Sequence, residues 1–238
     1  MTGFSLFGTE HLLALVFIFA TVVFLVLLYS RLRTKNRKIM LFVICFLLPI
    51  LEIWKICRLC MLGQYGIGYL PLHFCSLAVY LYPVCCLLSP GKFRDTLTGF
   101  CFSALFPAAL SALLFPDWTD MPILSFLSLH SFIWHMLQIL MPLCLFSAKE
   151  YRAKVWHSIT NLLLLFSFGI PIFIFDRITG CNYWFLLRPV PGTPLETLFH
   201  ILGKTGYLPA LAAFASMIIL LMSLFWAGCC KKRSAFPR

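Results

Sequence analysis

The stretch Leu70-Pro71-Leu72-His73-Phe74-Cys75-Ser76 decides how this chain is interpreted, because it opens an apolar run and carries two reactive side chains. Proline suits the first position of a helix, where its missing N–H would have no partner, so Pro71 predicts a helix start. His73 and Cys75 then fall in the opening turns, where free N–H groups and the helix dipole favour a thiolate. Residues two positions apart do not share a helix face, so any base for Cys75 must come from another helix.

The composition is that of a membrane protein. Of 238 residues, 61% are hydrophobic and only 11% are charged, whereas a soluble domain carries about 25% charged residues. Apolar runs of roughly 20 residues, enough to cross about 30 Å of hydrocarbon, recur along the chain. The net charge of +11 is distributed in short basic clusters between these runs. This is the pattern of the positive-inside rule, and it argues against nucleic acid as a partner.

The apolar runs predict an all-α polytopic protein with seven transmembrane helices in a single domain, 1–238. The predicted spans are 12–30, 39–57, 70–89, 96–115, 122–146, 158–175 and 207–228. With seven spans, 14 of the 19 Lys and Arg residues share the side of the C-terminus. We therefore predict an outside N-terminus, a cytoplasmic C-terminus and a multi-pass location in the cell membrane. The first 11 residues contain no Lys or Arg, so no cleaved signal peptide is expected.

The longest connection, 177–206, is predicted to be an outer loop. It contains Gly180-Cys181-Asn182-Tyr183-Trp184-Phe185-Leu186 and then Arg188. Aromatic and amide side chains at the outer boundary fit an interfacial belt or a lid over a cavity. An arginine at this boundary can bind a phosphate with two hydrogen bonds, so Arg188 is a candidate contact for a phospholipid head group.

Ionisable side chains within spans are costly and usually functional, so their depths are informative. At about 1.5 Å per residue, Cys75 lies about 6 Å inside Pro71, and His130 lies about 12 Å inside Pro122. Glu52 lies roughly 8 Å short of the outer end of its span. The candidate site in the outer half comprises Glu52, His73, Cys75 and His130, with His11, Asn182, Tyr183 and Arg188 as substrate contacts.

Other polar residues have plainer explanations. His135 and Gln138 are three residues apart and are typical of a contact between helices. His157 lies at a cytoplasmic boundary, where a histidine needs no function, and no comparable polar set is expected in the inner half. Cys57 and Cys60 form a CxxC pair without a second pair at zinc-ligand spacing, so no metal or other cofactor is predicted from them.

Four stretches together resemble a known family. They are 70–76, Ala109-Leu110-Ser111-Ala112-Leu113-Leu114-Phe115-Pro116-Asp117, the His130 region, and 180–189 with its Arg188-Pro189 pair. The chain resembles the bacterial YwaF integral membrane family. That family is similar to a eukaryotic transmembrane family described as acyltransferases that form polyunsaturated ether phospholipids. The resemblance implies that Cys75 matches the proposed nucleophilic cysteine, and it implies the cytoplasmic membrane of a bacterium as the location.

The leading hypothesis is therefore an enzyme that transfers or hydrolyses a fatty acyl group of a membrane phospholipid or other acyl lipid. Cys75 would attack the ester carbonyl, His130 would act as base, and Glu52 would orient a histidine. His73 or Asn182 would donate a hydrogen bond to the developing oxyanion.

Two other functions remain open on the sequence alone. A transporter or proton-coupled carrier would use Glu52 and the histidines as a relay. A lipid-binding or metal-binding protein without catalysis would use the same side chains, since Glu52, His73, Cys75 and His130 are acceptable zinc ligands in type.

Overall fold

The fold was analysed in a computed structural model, which describes residues 3–235. This part of the chain is built from helices and contains no strand, which confirms the all-α prediction. The α-helices are α1 (Thr9–Arg31), α2 (Thr34–Met61), α3 (Leu77–Leu87), α4 (Lys92–Phe100), α5 (Phe106–Leu114), α6 (Phe126–Ser147), α7 (His157–Thr179) and α8 (Pro194–Ala235). Short 3-10 turns at Ile67–Tyr69, Phe74–Ser76 and Tyr183–Phe185 stand in the connections.

Six helices in the described part of the chain are long and apolar enough to cross a membrane, so this is a multi-pass membrane protein. The predicted third span is the exception. Its apolar helix covers only Phe74–Leu87, because the chain from Leu70 to His73 is not helical. The count of seven spans and the orientation of the termini stay predictions. We use "predicted outer end" for the end of the bundle at 62–76, 115–125 and 180–193, and "predicted cytoplasmic end" for the opposite one.

The centre of the bundle is formed by α6 and by the continuous helical segment Lys92–Leu114. In each, 67% of the most apolar stretch is buried, against 11 to 28% in α1, α2, α7 and α8. Helix α6 packs on α1, α2 and α5, while α4 packs on α7. The outer helices expose rows of large apolar side chains. Since a bilayer solvates such surfaces, this distribution is expected for helices that face lipid.

A π-helix, Cys101–Leu105, joins α4 to α5. The N–H of Phe106 bonds to the carbonyl of Cys101, five residues earlier. Pro107 follows directly. A proline has no N–H to donate to the carbonyl four residues before it, and its ring clashes with that carbonyl. Widening the helix by one residue relieves this clash, and π-helical turns of this kind are frequent at functional sites. The π-helix packs against α8.

Helix α8 changes direction at Gly203, whose backbone has a φ of 65° and a ψ of −179°. This conformation suits glycine, because a side chain is strained there. The residues before Gly203 are already helical from Pro194. The prediction of a loop throughout 177–206 is therefore wrong at both ends, since α7 continues to Thr179 and α8 begins at Pro194.

Candidate functional site

The segment that opens the predicted third span does not form a helix start. Phe74–Ser76 is a 3-10 turn, and α3 begins only at Leu77. Pro71 therefore precedes the helix, and the prediction that it holds the first helical position is wrong. Cys75 lies two residues before α3. A three-residue turn aligns too few peptide dipoles to act as a helix N-terminus, so the expected activation of Cys75 by the dipole loses its basis.

Long-range contacts hold this segment out of a helix. The indole N–H of Trp184 donates to the carbonyl oxygen of Leu72 at 2.8 Å, and the Trp184 ring meets Phe74 edge-on with centroids 4.7 Å apart. The Tyr183 ring packs edge-on against His73 at 4.6 Å. Trp184 has a φ of 56°, which costs energy in a bulky residue and persists only where surrounding contacts enforce it. The connection 180–193 thus covers the segment 70–76.

Asp117 links the two reactive residues of the segment. Its charge acts through space on both His73 and Cys75, and all three residues belong to the predicted outer end. Burial lowers the pKa of His73, and the Asp117 carboxylate opposes this by raising it. The Asp117 side chain is exposed at the surface. Desolvation by the neighbouring protein nevertheless raises the pKa of its carboxyl group, while the charge on His73 lowers this pKa. The sequence arguments treated Asp117 only as part of a resemblance and did not place it in the site.

His135 joins the same group. The charge of His73 acts on it, and its ring stacks on Trp118 with centroids 5.4 Å apart and an interplanar angle of 8°. Nδ1 lies 2.7 Å from the carbonyl oxygen of Ser131. Because a carbonyl only accepts hydrogen bonds, Nδ1 carries the proton and Nε2 keeps a lone pair. The predicted pairing of His135 with Gln138 is not found.

Glu52, Lys55 and His130 form an adjacent group. Glu52 is 3% exposed, and its Oε1 lies 2.9 Å from the Lys55 ammonium. Neither carboxylate oxygen of Glu52 has a hydrogen-bond partner in the described part of the chain, so this contact is an ion pair. His130 Nε2 lies 3.2 Å from the carbonyl oxygen of Leu51 and therefore carries the proton, leaving the lone pair on Nδ1.

Lys55 connects the two groups. Its charge acts on His130 and on His73, and the ammonium lies 6.0 Å from the centre of the Trp134 ring. The predicted catalytic residues are thus linked through a cation that the sequence arguments had not placed in the site. Within residues 3–235, no hydrogen bond joins Cys75 to His130 or to Glu52.

The residues predicted to contact substrate differ in whether their side-chain hydrogen-bonding groups are still free to bind a ligand. His11 is fully buried, Nδ1 accepts from the N–H of Phe7 at 3.1 Å, and Nε2 lies 2.8 Å from the carbonyl oxygen of Leu113. Both ring nitrogens are therefore occupied, and His11 ties the N-terminal segment to α5. Its geometry favours a structural role over a contact with substrate.

Asn182 organises the outer connection. Its side-chain oxygen accepts from the N–H groups of Leu187 and Arg188, each at 3.0 Å, and its amide donates to the Arg188 carbonyl oxygen at 2.9 Å. The amide group is thus used within the loop. Tyr183 is buried and its hydroxyl donates to the Ile67 carbonyl oxygen. The exposed residue of the set is Arg188, whose guanidinium stays available at the surface.

The metal-site alternative gains no geometric support. Within residues 3–235, no three His, Cys, Asp or Glu side chains come together closely enough to hold a metal ion. Glu52, His73, Cys75 and His130 are therefore not gathered as a ligand set.

A second polar group lies at the predicted cytoplasmic end, where none was expected. Its buried members are Ser103, Tyr151, His157, Asn161 and Ser223. They come from the π-helix, the 148–156 connection, α7 and α8. Serine and asparagine do not titrate and are common in membrane helices, so nothing in their pattern singled out Ser103, Asn161 and Ser223 as one group.

Comparison with known proteins places most of the chain in one family. Residues 6–227 match the model of the TMEM164 family. No curated protein and no solved structure matches the chain.

Proposed function

This chain belongs to the TMEM164 family, and we propose that it is a membrane enzyme that transfers or hydrolyses a fatty acyl group of a phospholipid. The observation that carries the proposal is that the segment of His73 and Cys75 lies beneath the Tyr183–Trp184 cover, where the charge of Asp117 acts on both side chains. A thiol, an imidazole and a carboxylate are the side chains of a nucleophile, a base and an orienting group. The resemblance to YwaF proteins and to an acyltransferase family supports the same chemistry.

The reaction needs no external oxidant or reductant. The Cys75 sulfur attacks the ester carbonyl, so an S–C bond forms while the thiol proton passes to an imidazole. The ester C–O bond then breaks, and the imidazolium returns the proton to the leaving alkoxide. The acyl thioester is next attacked by a second lipid hydroxyl, which gives transfer, or by water, which gives hydrolysis.

In this proposal His73 is the base and Asp117 its electrostatic partner. The charge of Asp117 acts on both His73 and Cys75, whereas His130 was predicted as the base from the sequence. His130, Glu52 and Lys55 then supply the adjacent charged group, in which Lys55 faces the developing oxyanion. Arg188 would bind the head-group phosphate from the surface.

The test is capture of the acyl-enzyme. The purified protein is reconstituted in vesicles that contain a phospholipid with an alkyne-tagged acyl chain. The amount of alkyne label on the protein is then measured with and without hydroxylamine, which cleaves thioesters. Label that hydroxylamine removes is expected on the wild type and on Cys181→Ala, a control at another half-buried cysteine of the outer end. Loss of label is expected in Cys75→Ala. An unlabelled wild type, or a labelled Cys75→Ala, would contradict the mechanism.

The orientation and location are part of the proposal. We place the N-terminus outside and the C-terminus in the cytoplasm of a bacterial cell, as the basic clusters favour. A membrane-impermeant maleimide on intact cells would then modify Cys57 and Cys60, which are exposed at the predicted outer end, but not Cys229 at the other end. The reverse pattern of labelling would invert the topology and move the site to the cytoplasmic leaflet.

A carrier is the second candidate, and one observation favours it. Polar side chains lie at both ends of the bundle, with His157 and Asn161 buried at the predicted cytoplasmic end. A relay across the membrane needs such groups at more than one depth. Lipid-dependent proton flux into sealed liposomes that persists in Cys75→Ala would favour this function over acyl transfer.

A further inference from the structure

The polar group at the predicted cytoplasmic end surrounds a cavity that the proposed function does not use. The cavity lies between α4, the π-helix, α7, α8 and the connection 148–156. It has space for a single water molecule and no more. Ser103, Tyr151, His157, Asn161 and Ser223 contribute to its lining.

Three of the lining side chains carry buried polar atoms that lack a partner in the described part of the chain. They are Nε2 of His157, Oδ1 of Asn161 and Oγ of Ser223. The residues are 2%, 1% and 5% exposed. Buried polar atoms are normally hydrogen-bonded, to protein or to an ordered water. Three such atoms around one small cavity therefore point to an occupant.

Neighbouring hydrogen bonds fix the orientation of these groups. The Asn161 amide donates to Ser103 Oγ at 2.8 Å, and Ser103 Oγ donates to the Gly99 carbonyl oxygen at 3.0 Å. The Asn161 side-chain oxygen is consequently the end left free, and it can only accept. The Tyr151 hydroxyl and His157 Nδ1 lie 3.1 Å apart, so His157 Nε2 is the free end of that ring.

The chemistry of the lining selects a small neutral ligand. The acceptor oxygen of Asn161 and the Lys154 side chain both line the cavity, and the charges of Asp95 and Lys154 act on His157 in opposite senses, so the surroundings favour neither an anion nor a cation. A larger molecule would not fit the space. Water can donate to Asn161 and also bond to a hydroxyl and an imidazole nitrogen, and buried waters typically make about three such bonds.

We propose that this cavity is a hydration site in which a bound water molecule bridges His157, Asn161 and Ser223. The water completes the hydrogen bonds between α7 and α8 beside the π-helix. Gly99 lines the same cavity, and a Cβ there would lie 2.9 Å from the Tyr151 hydroxyl and 3.3 Å from His157 Nδ1, so glycine keeps these two side chains in place.

The first test is radiolytic hydroxyl-radical labelling of the full-length protein in detergent, read by mass spectrometry. Radicals formed from a bound water label adjacent side chains even where bulk solvent does not reach. Tyr151, which is 6% exposed and lines the cavity, is expected to label several-fold faster than Tyr82, which is fully buried elsewhere in the core. Equal labelling of the two tyrosines would mean a dry cavity and would overturn the proposal.

The second test uses a matched pair of variants on α8. Ser223→Ala removes the hydroxyl without adding bulk to the cavity, and should reduce Tyr151 labelling towards that of Tyr82. Ser216→Ala is the control, because the Ser216 hydroxyl bonds to the Ala212 carbonyl oxygen of its own helix. A high-resolution experimental structure decides the matter without any variant. Its density map should show one water-sized peak in the cavity, about 2.6–3.2 Å from the three unpaired atoms. An empty cavity, or density larger than one water molecule, would refute the proposal.

Discussion

The Lys55 ammonium lies 2.9 Å from Oε1 of Glu52, one turn earlier on α2, and the two side chains are only 16% and 4% exposed. A buried carboxylate needs a partner, because removing a charge from water is expensive. Lys55 satisfies this need and also acts electrostatically on His130 and His73. The pair is thus both a stabilising contact and the connection between the two halves of the candidate site.

Removing one charge of the Glu52–Lys55 pair should destabilise the protein more than removing both charges. Glu52→Gln or Lys55→Met should each lower the free energy of unfolding by about 3 kcal/mol, because each leaves one buried charge unpaired. The double variant should lose much less than the sum. Denaturant unfolding in detergent, arranged as a double-mutant cycle, measures the coupling. Additive losses would show that the pair contributes no mutual stabilisation.

The pH dependence of acyl-enzyme formation should report the state of His73. A base must be neutral, so activity falls below its pKa. Burial lowers the pKa of His73. The acid limb of the pH–rate profile should therefore have its midpoint below the usual histidine pKa of about 6.5. Asp117→Asn removes the charge that raises this pKa, so the limb should move to still lower pH.

Asp120→Asn is the control for this shift. It removes a carboxylate from the same connection, but no direct action of Asp120 on His73 is found. Its acid limb should stay close to that of the wild type. A limb that moves to higher pH in Asp117→Asn would show that His73 is not the base.

The outer cover should loosen when its hydrogen bond is removed. Trp184→Phe keeps an aromatic ring but leaves the Leu72 carbonyl oxygen without its donor, at a cost of about 1 kcal/mol. Amide hydrogen exchange in 67–76 should become faster, while exchange in α6 should not change. Trp156→Phe, at an exposed tryptophan of the opposite end, should leave both regions unaffected. Unchanged exchange in Trp184→Phe would mean that other contacts alone hold the segment.

Alanine at position 99 should lower the stability of the protein, whereas alanine at position 228 should raise it. At Gly99 the new methyl group would lie 2.9 Å from the Tyr151 hydroxyl, and crowding of this kind costs about 1–3 kcal/mol. At Gly228 in α8 nothing lies within 4 Å, so alanine should stabilise the helix by up to about 1 kcal/mol. Thermal unfolding of the two variants beside the wild type tests both signs. A stable Gly99→Ala would show that Tyr151 can move without loss.

Hydrophobic runs were sufficient to locate the helices, since each predicted span overlaps a helix of the structure. They could not reveal that 70–76 is irregular. This depends on Tyr183 and Trp184, more than a hundred residues later, whose contacts replace the helical bonds that Pro71 suggested. Local propensity was overridden by tertiary contacts.

A depth could be assigned to each candidate residue from the sequence, and this depth stays a prediction, but the partners of these residues could not be assigned. Counting the helical rise placed Glu52, His73, Cys75 and His130 in the same half of the membrane. Rotation of each helix about its axis decides which side chains meet, and the sequence does not give it. Asp117 lies in a connection and His135 was assigned to a helix contact, so neither entered the predicted site.

The shortness of the third apolar helix has a consequence for the surrounding bilayer. Fourteen residues rise only about 21 Å, whereas the hydrocarbon layer is roughly 30 Å thick. A segment this short forces the adjacent lipid to thin or the neighbouring polar chain to dip below the head groups. Thinning of the lipid would lower the glycerol ester linkages towards Cys75, so in the proposed reaction hydrophobic mismatch would help to bring the scissile bond to the thiol.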